Sequence, residues 1–283
     1  MTVVYACCSS GRPKKFCQKT LATLSRGGFK GTLWLCVPFE EVETYSETLD
    51  ADNKNRISIT LIGAKKGLVN QRKHIRDMLP DRQQILFMDD DIESLKILVK
   101  GKLQHVENIE RIVDYCFHVM PEDRLLWGVY PLTNALWMKE RQLSGNCYIV
   151  GAFYGCINDP ELIEPEEDEC EDYARQLSEQ TDGRPPVRYE WLGITTRYFK
   201  NAGGLQQERS PLKRAAAITA LVNRYPDLIQ VKTRKDGTPD LKYVSRPNHS
   251  VSVAPSSSNG YGTTLDVDLT PSAPHDPSCP EQL

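Results

Sequence analysis

Nowhere in this chain are two cysteines spaced C-x-x-C; the nine present are scattered, with Cys7 and Cys8 adjacent inside an apolar run. That absence excludes the usual spacing of a zinc site or a dithiol redox pair, and the odd count suits reduced thiols better than a disulfide framework. Long hydrophobic runs are missing too, so no segment is long enough to cross a bilayer. The N-terminal "MTVVYACCSSGRP" has no basic residues ahead of an apolar part that is only strand-length. It reads as structure rather than as a signal peptide, which leads to the expectation of a cytoplasmic location. Histidine is scarce, five in 283 residues, with none between His118 and His249, and His118 itself reads as a packed or surface side chain. Finally, no basic residue follows Arg246.

What is present is ordinary for a globular chain: 40% hydrophobic and 26% charged residues, with a length that suggests one large domain plus appendages. The formal charge of −3 hides a polarity. Residues 1–183 carry 22 Lys and Arg against 29 Asp and Glu, whereas 184–246 carry 13 against 5, a net of +8. A basic segment of that kind can hold a polyanion, or it can be a solvated surface. Residues 247–283 are rich in Pro and Ser and poor in aromatics, and lack the apolar surface to offset ordering entropy, so a flexible tail is expected there.

Short apolar runs alternate with amphipathic stretches through the first half: "TVVYACC", "KKFCQKTLATLSRGG", "TLWLCVP", a polar helical stretch, "ISITLIG", "GLVNQRKHIRDMLP" and "QILFMDD". Fully apolar strands alternating with helices predict a parallel, Rossmann-like α/β layer covered on both faces. A helix is predicted around "VENIERIVDYCFHVM" and strands at "LLWGVYPL" and "NCYIVGAFYGCI", joined by a polar loop at "KERQLSGN". After an acidic segment come a strand "VRYEWLGITTRYF", a turn "KNAGG" and a helix "PLKRAAAITALVNRYP". Ligands of such sheets bind beyond the carboxyl ends of the strands, which directs attention to Ser9–Pro13, to Gly67–Arg72 and to the aspartates after the fourth strand.

That fourth strand ends in "ILFMDDDIE", four apolar residues set against three consecutive carboxylates. If the strand continues through them, Asp89 and Asp91 point together and Asp90 points away. Two carboxylates on one side repel unless a cation lies between them, and oxygen ligands without His or Cys favour Mg²⁺ or Mn²⁺. A local reading competes: Asp90 as a helix N-cap with Glu93 three residues on, forming a capping box without any metal.

The segment resembles the D-x-D element of GT-A glycosyltransferases, whose fold is a mixed, Rossmann-like sheet flanked by helices. The resemblance implies a nucleotide-sugar donor, expected to be a UDP-sugar, with Mn²⁺ or Mg²⁺ bound by Asp91 directly and Asp89 in support, and Asp89 and Asp90 beside the donor. "GLVNQRKHI" is similar to the G-x-x-x-x-R element of that family, making Arg72 a candidate donor contact, although an exposed helix residue is the simpler reading. Ser9, Gly11 and Arg12 lie where the first loop of that fold meets the nucleotide, Arg12 being also readable as a turn residue. "CEDYARQL" resembles the element that supplies the catalytic base of inverting members. It points to Asp172, with Glu171 as neighbour or alternative; a run of seven acids from Glu164 to Asp172 can also be a solvated loop.

The order "WGVYP…GAFYG…ED…KNAGGLQ" looks most like phage glycosyltransferases associated with TET-type oxygenases, related to the base J glucosyltransferase, over about residues 1–245. The resemblance implies transfer to a 5-hydroxymethylpyrimidine in DNA, in a host cytoplasm if the chain is phage-encoded. On this reading 1–105 is the nucleotide-sugar half, 106–246 the acceptor half and 247–283 a tail. Arg184, Arg188, Arg197, Lys200, Arg209, Lys213 and Arg214 would track phosphates, Tyr189, Trp191 and Tyr198 would stack on bases, and Gly203 and Gly204 would admit a close ligand. Tyr189 and Trp191 also fit a half-buried strand, and the glycines a turn. No membrane and no obligate protein partner is expected. Other readings are a GT-A enzyme acting on protein, glycan or a small metabolite, a nucleotidyltransferase, and a non-catalytic nucleotide-sugar or nucleic-acid binding module.

Overall fold

The computed structural model describes residues 2–52, 57–162, 165–196, 210–234, 237–244 and 249–251. Strand β1 (Val4–Cys8) leads into a helical run composed of α1 (Pro13–Phe16), a π-helical turn (Cys17–Leu21) and α2 (Ala22–Arg26). Next come β2 (Thr32–Pro38), α3 (Val42–Ala51), β3 (Ser58–Ala64), α4 (Leu68–Asp77) and β4 (Gln84–Asp89). The four strands are parallel and lie in the order β4-β1-β2-β3. The chain thus moves outward from β1 to β3 and returns to add β4 on the other flank of β1. Open α/β sheets bind ligands at such a reversal of strand order. Cys8 and Asp89, the last residues of β1 and β4, are direct register partners, so the segments that follow these strands meet at this point.

Beyond β4 the parallel pattern gives way to a mixed one. A hairpin of β5 (Ser94–Val99) and β6 (Lys102–His105), not foreseen from the sequence, turns at Lys100 and Gly101, whose φ values of 50° and 72° suit a two-residue hairpin turn. Helix α5 (Ile109–Val119) begins at Asn108, whose side chain accepts the Arg111 amide at 2.9 Å. Strands β7 (Leu126–Tyr130), β8 (Gln142–Ser144) and β9 (Phe153–Ile157), helix α6 (Glu171–Thr181) and β10 (Val187–Thr195) complete the main body. β8 lies in the stretch read as a polar loop. β9 runs antiparallel to both neighbours, β4 and β7, while β10 is parallel to β7 and antiparallel to β5 and β8. Gly155 makes the close packing of β9 feasible: a Cβ there would come within 2.2 Å of the buried Trp127 indole.

Helix α7 (Pro211–Arg224) and a separate hairpin of β11 (Ile229–Thr233) and β12 (Pro239–Tyr243) pack on α6 around Tyr173, Leu177, Ile218, Ile229 and Leu241. Strand β13 (His249–Val251) pairs with β8 at the sheet edge. The main core is separate and larger, running along both flanks of β1, β4, β7, β9 and β10. Eight cysteines among the described residues are buried free thiols. Among the described residues no helix is long and apolar enough to cross a membrane.

Candidate active site

Two groups of carboxylates occupy the ligand-binding end of the sheet. The first is the acid turn. β4 ends at Asp89, the chain turns at Asp90 and Asp91, and β5 follows without an intervening helix. The capping box therefore does not form, and Glu93 pairs with Lys19 at 2.7 Å instead. Strand alternation does not govern these side chains either, because Asp90 and Asp91 lie past the strand.

Asp90 has no exposed surface. Arg12 holds it at two points, Nη2 to Oδ1 at 2.5 Å and Nε to Oδ2 at 3.0 Å, and the Ser9 hydroxyl donates to the same carboxylate. Arg12 is therefore more than a turn residue. Ser9 also contacts the Tyr45 hydroxyl at 2.6 Å, and Glu41 accepts from Ser10 at 2.9 Å and from the Gly11 amide at 2.6 Å. Gly11, at φ 67°, supplies the backbone conformation this loop needs. Ser9 and Arg12 thus reach Asp90, the anchor that fixes their loop, while Gly11 is tied to Glu41. Asp91 is 3.8 Å from Arg12 Nη1, and Asp89 is 3.3 Å from Arg72. Thr20, from the π-helical turn, donates to the Asp89 carbonyl at 2.7 Å and accepts from Ile92 at 3.0 Å, clamping the turn from behind.

The second group opens α6. Glu171 is buried between two arginines, Arg72 at 2.7 Å and Arg175 at 2.7 Å. Arg72 is itself almost fully buried, with Nη2 also 2.7 Å from the Gly151 carbonyl and the guanidinium over the Tyr154 ring at 5.1 Å. The exposed-helix reading of Arg72 is thereby corrected. Its charge reaches across β4 to join Asp89 with Glu171. Asp172, only half-buried, accepts from the Tyr148 hydroxyl and from its neighbour Tyr173 N at 2.9 Å. The backbone facing it is held residue by residue. Arg188 donates to Tyr148 O at 3.0 Å, Gln176 takes both the amide and the carbonyl of Ile149 at 2.7 and 2.6 Å, and Arg72 takes Gly151 O. A Cβ on Gly151 would meet Glu171 Oε1 at 2.5 Å, so only glycine fits this approach.

The surroundings separate these acids in character. Burial pushes Asp89 up to about 7, against Arg72 and with help from Asp91, Asp90 and Glu171; burial also pushes Asp90 up to about 6, against Arg12 and Ser9. For Glu171 burial works upward too, but Arg175 and Arg72 outweigh it and hold the group below its ordinary value. Glu171 is thus held as the ionised member of the pair. Asp172 is raised by burial and by the adjacent Glu171 charge, despite the Tyr148 hydrogen bond. Two neighbouring carboxylates with pKa values driven apart are the pattern by which an acid–base pair divides its roles.

A divalent ion fits the acid turn in one specific manner. Asp89, Asp90, Asp91, Glu171 and Asp172 gather five carboxyl groups beside arginines 12, 72 and 175, and Lys15 also bears on Asp90 and Asp91. Among the described residues, however, no three His, Cys, Asp or Glu side chains converge into a ready metal cage. Two carboxylates, with water and substrate phosphates completing the shell, suit Mg²⁺ or Mn²⁺, which keep such ligands.

The expected acceptor surface fares differently. Trp191 and Tyr189 have no exposed surface, and each packs in the aromatic core, so neither can stack on a base. Arg188 is buried against Glu190 at 2.6 Å, Arg184 pairs with Glu179 and Glu161, and Arg214 pairs with Asp240 at 2.7 Å. Arg188 is neutralised inside the protein, whereas Arg184 and Arg214 are engaged in ion pairs nearer the surface. Lys213 is exposed at the start of α7. Arg197, Tyr198, Lys200, Gly203, Gly204, Arg209 and the tail from 252 lie outside the described residues. The acidic segment is not merely solvated, because Asp168 accepts the Val69 amide at 2.7 Å and caps α4 from a distance. Residues that sequence reasoning passed over include Tyr45, Glu41, Thr20, Tyr148 and Arg175. Of these only Arg175 carried a readable cue, its place four residues after Glu171 on the same helix face.

No protein-family model matches the sequence, and no curated protein matches it. Among solved structures, the chain resembles the mannosyltransferase PcManGT from Pyrobaculum calidifontis, in complex with GDP-Man and Mn²⁺, at a TM-score of 0.50 and 8% identity, over 71% of this chain and 58% of that one. S. aureus TarS 1-349 in complex with UDP-GlcNAc aligns at 0.49 and 11% identity, over 79% of this chain and 66% of that one. GalNAc-T7 with UDP, GalNAc and Mn²⁺ aligns at 0.49 and 10% identity, over 80% and 49%. This chain therefore spans less than two thirds of the length of each. The likeness is one of fold: a central mixed sheet flanked by helices, of the GT-A type.

Proposed function

We propose that this chain is an inverting, divalent-metal-dependent glycosyltransferase that draws on a nucleotide sugar, with residues 1–105 serving the donor and 106–246 the acceptor. One observation carries the reading. The buried Arg72 guanidinium reaches Asp89 of the acid turn, Glu171 at the head of α6 and the Gly151 carbonyl, which ties both acid groups into one electrostatic unit where strand order reverses. Beside that unit Asp172, raised by burial and by the Glu171 charge, accepts from the Tyr148 hydroxyl.

Asp91, supported by Asp89, would hold Mn²⁺ or Mg²⁺; such an ion offsets the charge that gathers on a departing nucleoside diphosphate. Asp90, Ser9 and Arg12 keep the first loop against the acid turn, so the donor meets a fixed surface. Asp172 takes the proton of the acceptor hydroxyl while that oxygen attacks the anomeric carbon from the face opposite the leaving group, which inverts the configuration. A base raised toward the working pH performs this best. Glu171 stays ionised, held by Arg72 and Arg175, and its charge keeps the neighbouring carboxylate basic.

For the acceptor we infer a 5-hydroxymethylpyrimidine in DNA. Its support is the sequence resemblance and the positive balance of residues 184–246; the base would have to be flipped or presented single-stranded, at about a few kcal/mol. The internal pairing of Arg184, Arg188 and Arg214 favours a second reading, in which the acceptor is a protein, glycan or small-metabolite hydroxyl. Mass spectrometry of nucleosides from hydroxymethylated DNA incubated with nucleotide sugars and Mn²⁺ separates the two. A hexose or pentose added to the hydroxymethyl nucleoside supports DNA. Donor consumption with unmodified nucleosides supports the second reading. Absence of any metal-dependent donor turnover would leave only a binding module.

A further inference from the structure

We propose that Tyr148 is the positioning residue of the base, and that the C-terminal helix–hairpin unit exists in part to hold it. The inference rests on the reading of Asp172 as base. The Tyr148 hydroxyl donates to Asp172. Its ring lies on Tyr173 with centroids 4.9 Å apart and planes at 30°, and Tyr173 stacks in turn on Tyr243 of β12, 5.9 Å apart at 29°. Tyr173 is fixed to the same hairpin by donating to Leu241 O at 3.1 Å, and Tyr243 reaches Gln176 at 3.3 Å. Gln176 also grips both backbone groups of Ile149, next to Tyr148, while Arg188 grips the Tyr148 carbonyl. The phenol is therefore constrained from three sides: its backbone from β10, its ring from α6, and that ring's support from the hairpin.

A carboxylate rotates easily about its last torsion, and a base works only when a lone pair faces the proton it removes. Arg175 and Arg214 act on Asp172 through their charge, but each is ion-paired with another carboxylate. Glu171 absorbs Arg72 and Arg175, and Arg214, the cation that α7 brings nearby, is bound to Asp240. Other groups bearing on Asp172 are Cys170 and Tyr173, both buried. A neutral hydroxyl orients the carboxylate without discharging it, which an arginine at the same place would do. This assigns a task to α7 and the β11–β12 hairpin, which pack on α6.

The test compares Y148F, Y243L and D172N in the full chain, measuring kcat, donor KM, donor binding by calorimetry and the pH profile of kcat. If the proposal holds, Y148F keeps its stack and its donor KM but loses about tenfold or more in kcat at neutral pH, as expected for losing one hydrogen bond to a charged group. Its acidic limb moves to higher pH, since the lost donor had favoured the ionised carboxylate. Y243L, with the phenol intact but its support removed, loses kcat in the same direction with donor binding unchanged. D172N inactive together with a wild-type rate and profile for Y148F would overturn the positioning role and leave the base assignment standing. A fully active D172N would overturn both.

Discussion

The acid turn and the head of α6 make an instructive pair, because each joins carboxylates to arginines and each uses them to a different end. At the turn, Arg12 holds the middle residue, Asp90, at two points and reaches Asp91 only at 3.8 Å, while Asp89 lies 3.3 Å from Arg72. At α6, Arg72 and Arg175 neutralise the first residue, Glu171, and a single carboxylate, Asp172, is left raised and touched by a hydroxyl. Two carboxylates flanking an anchored one suit a cation shared with substrate. One carboxylate beside an anchored one suits a proton. The same buried side chain, Arg72, belongs to both groups, so the two are set in one frame.

Breaking the α6 half should have the largest effect. D172N should lower kcat by roughly 10²- to 10⁴-fold, the usual contribution of a general base, with donor binding retained in a calorimetric titration. Arg72→Met attacks the shared element, removing one of the two arginines that hold Glu171 and the cation beside Asp89. A loss of about 3–5 kcal/mol in chemical denaturation is expected, together with loss of activity. Gly151→Ala presses a methyl into Glu171 and should cost about 1–3 kcal/mol and reduce kcat without altering the acid turn.

A gentler probe is pH. Asp89 and Asp90 hold protons in the folded state up to about 7 and 6, whereas the unfolded chain releases them near the ordinary carboxylate value of about 4. Between those limits the folded state binds more protons, so their contribution to stability falls as pH rises. The melting temperature of metal-free protein should therefore drop from pH 5.5 to 8, and drop less in D89N; added Mn²⁺ should recover it at pH 8. The smallest effect belongs to Lys73→Ala. Its ion pair with Asp77 is more than half exposed on both sides, and a change under about 0.5 kcal/mol is expected.

How much of this was legible in the sequence depends on range. The four parallel strands and their helices were written in alternating apolar runs, which are local; Asp89 and Asp91 stood out by their place at the end of the fourth run, and Arg72 and Asp172 took their roles from the family resemblance. Residue type alone misled at Arg188 and Trp191, because a strand buried on both faces hides arginine and tryptophan as readily as it hides valine when Glu190 and the aromatic core complete them. Strand alternation misled at Asp90, since the strand stops one residue earlier. What stayed invisible was pairing at a distance: Tyr45 with Ser9, Tyr148 with Asp172 and Asp168 with α4 lie 36, 24 and 99 residues apart, beyond any local pattern.

The most direct test of the central idea, that the two acid groups serve a single transfer reaction, is nucleoside-diphosphate release from a panel of nucleotide sugars with an acceptor, measured against Mn²⁺ concentration for the wild type, D91A and D172N. The account predicts release by the wild type only with a divalent ion, loss of that metal response in D91A, and donor binding without release in D172N. Release by D91A at the wild-type rate and with the wild-type metal dependence would contradict it.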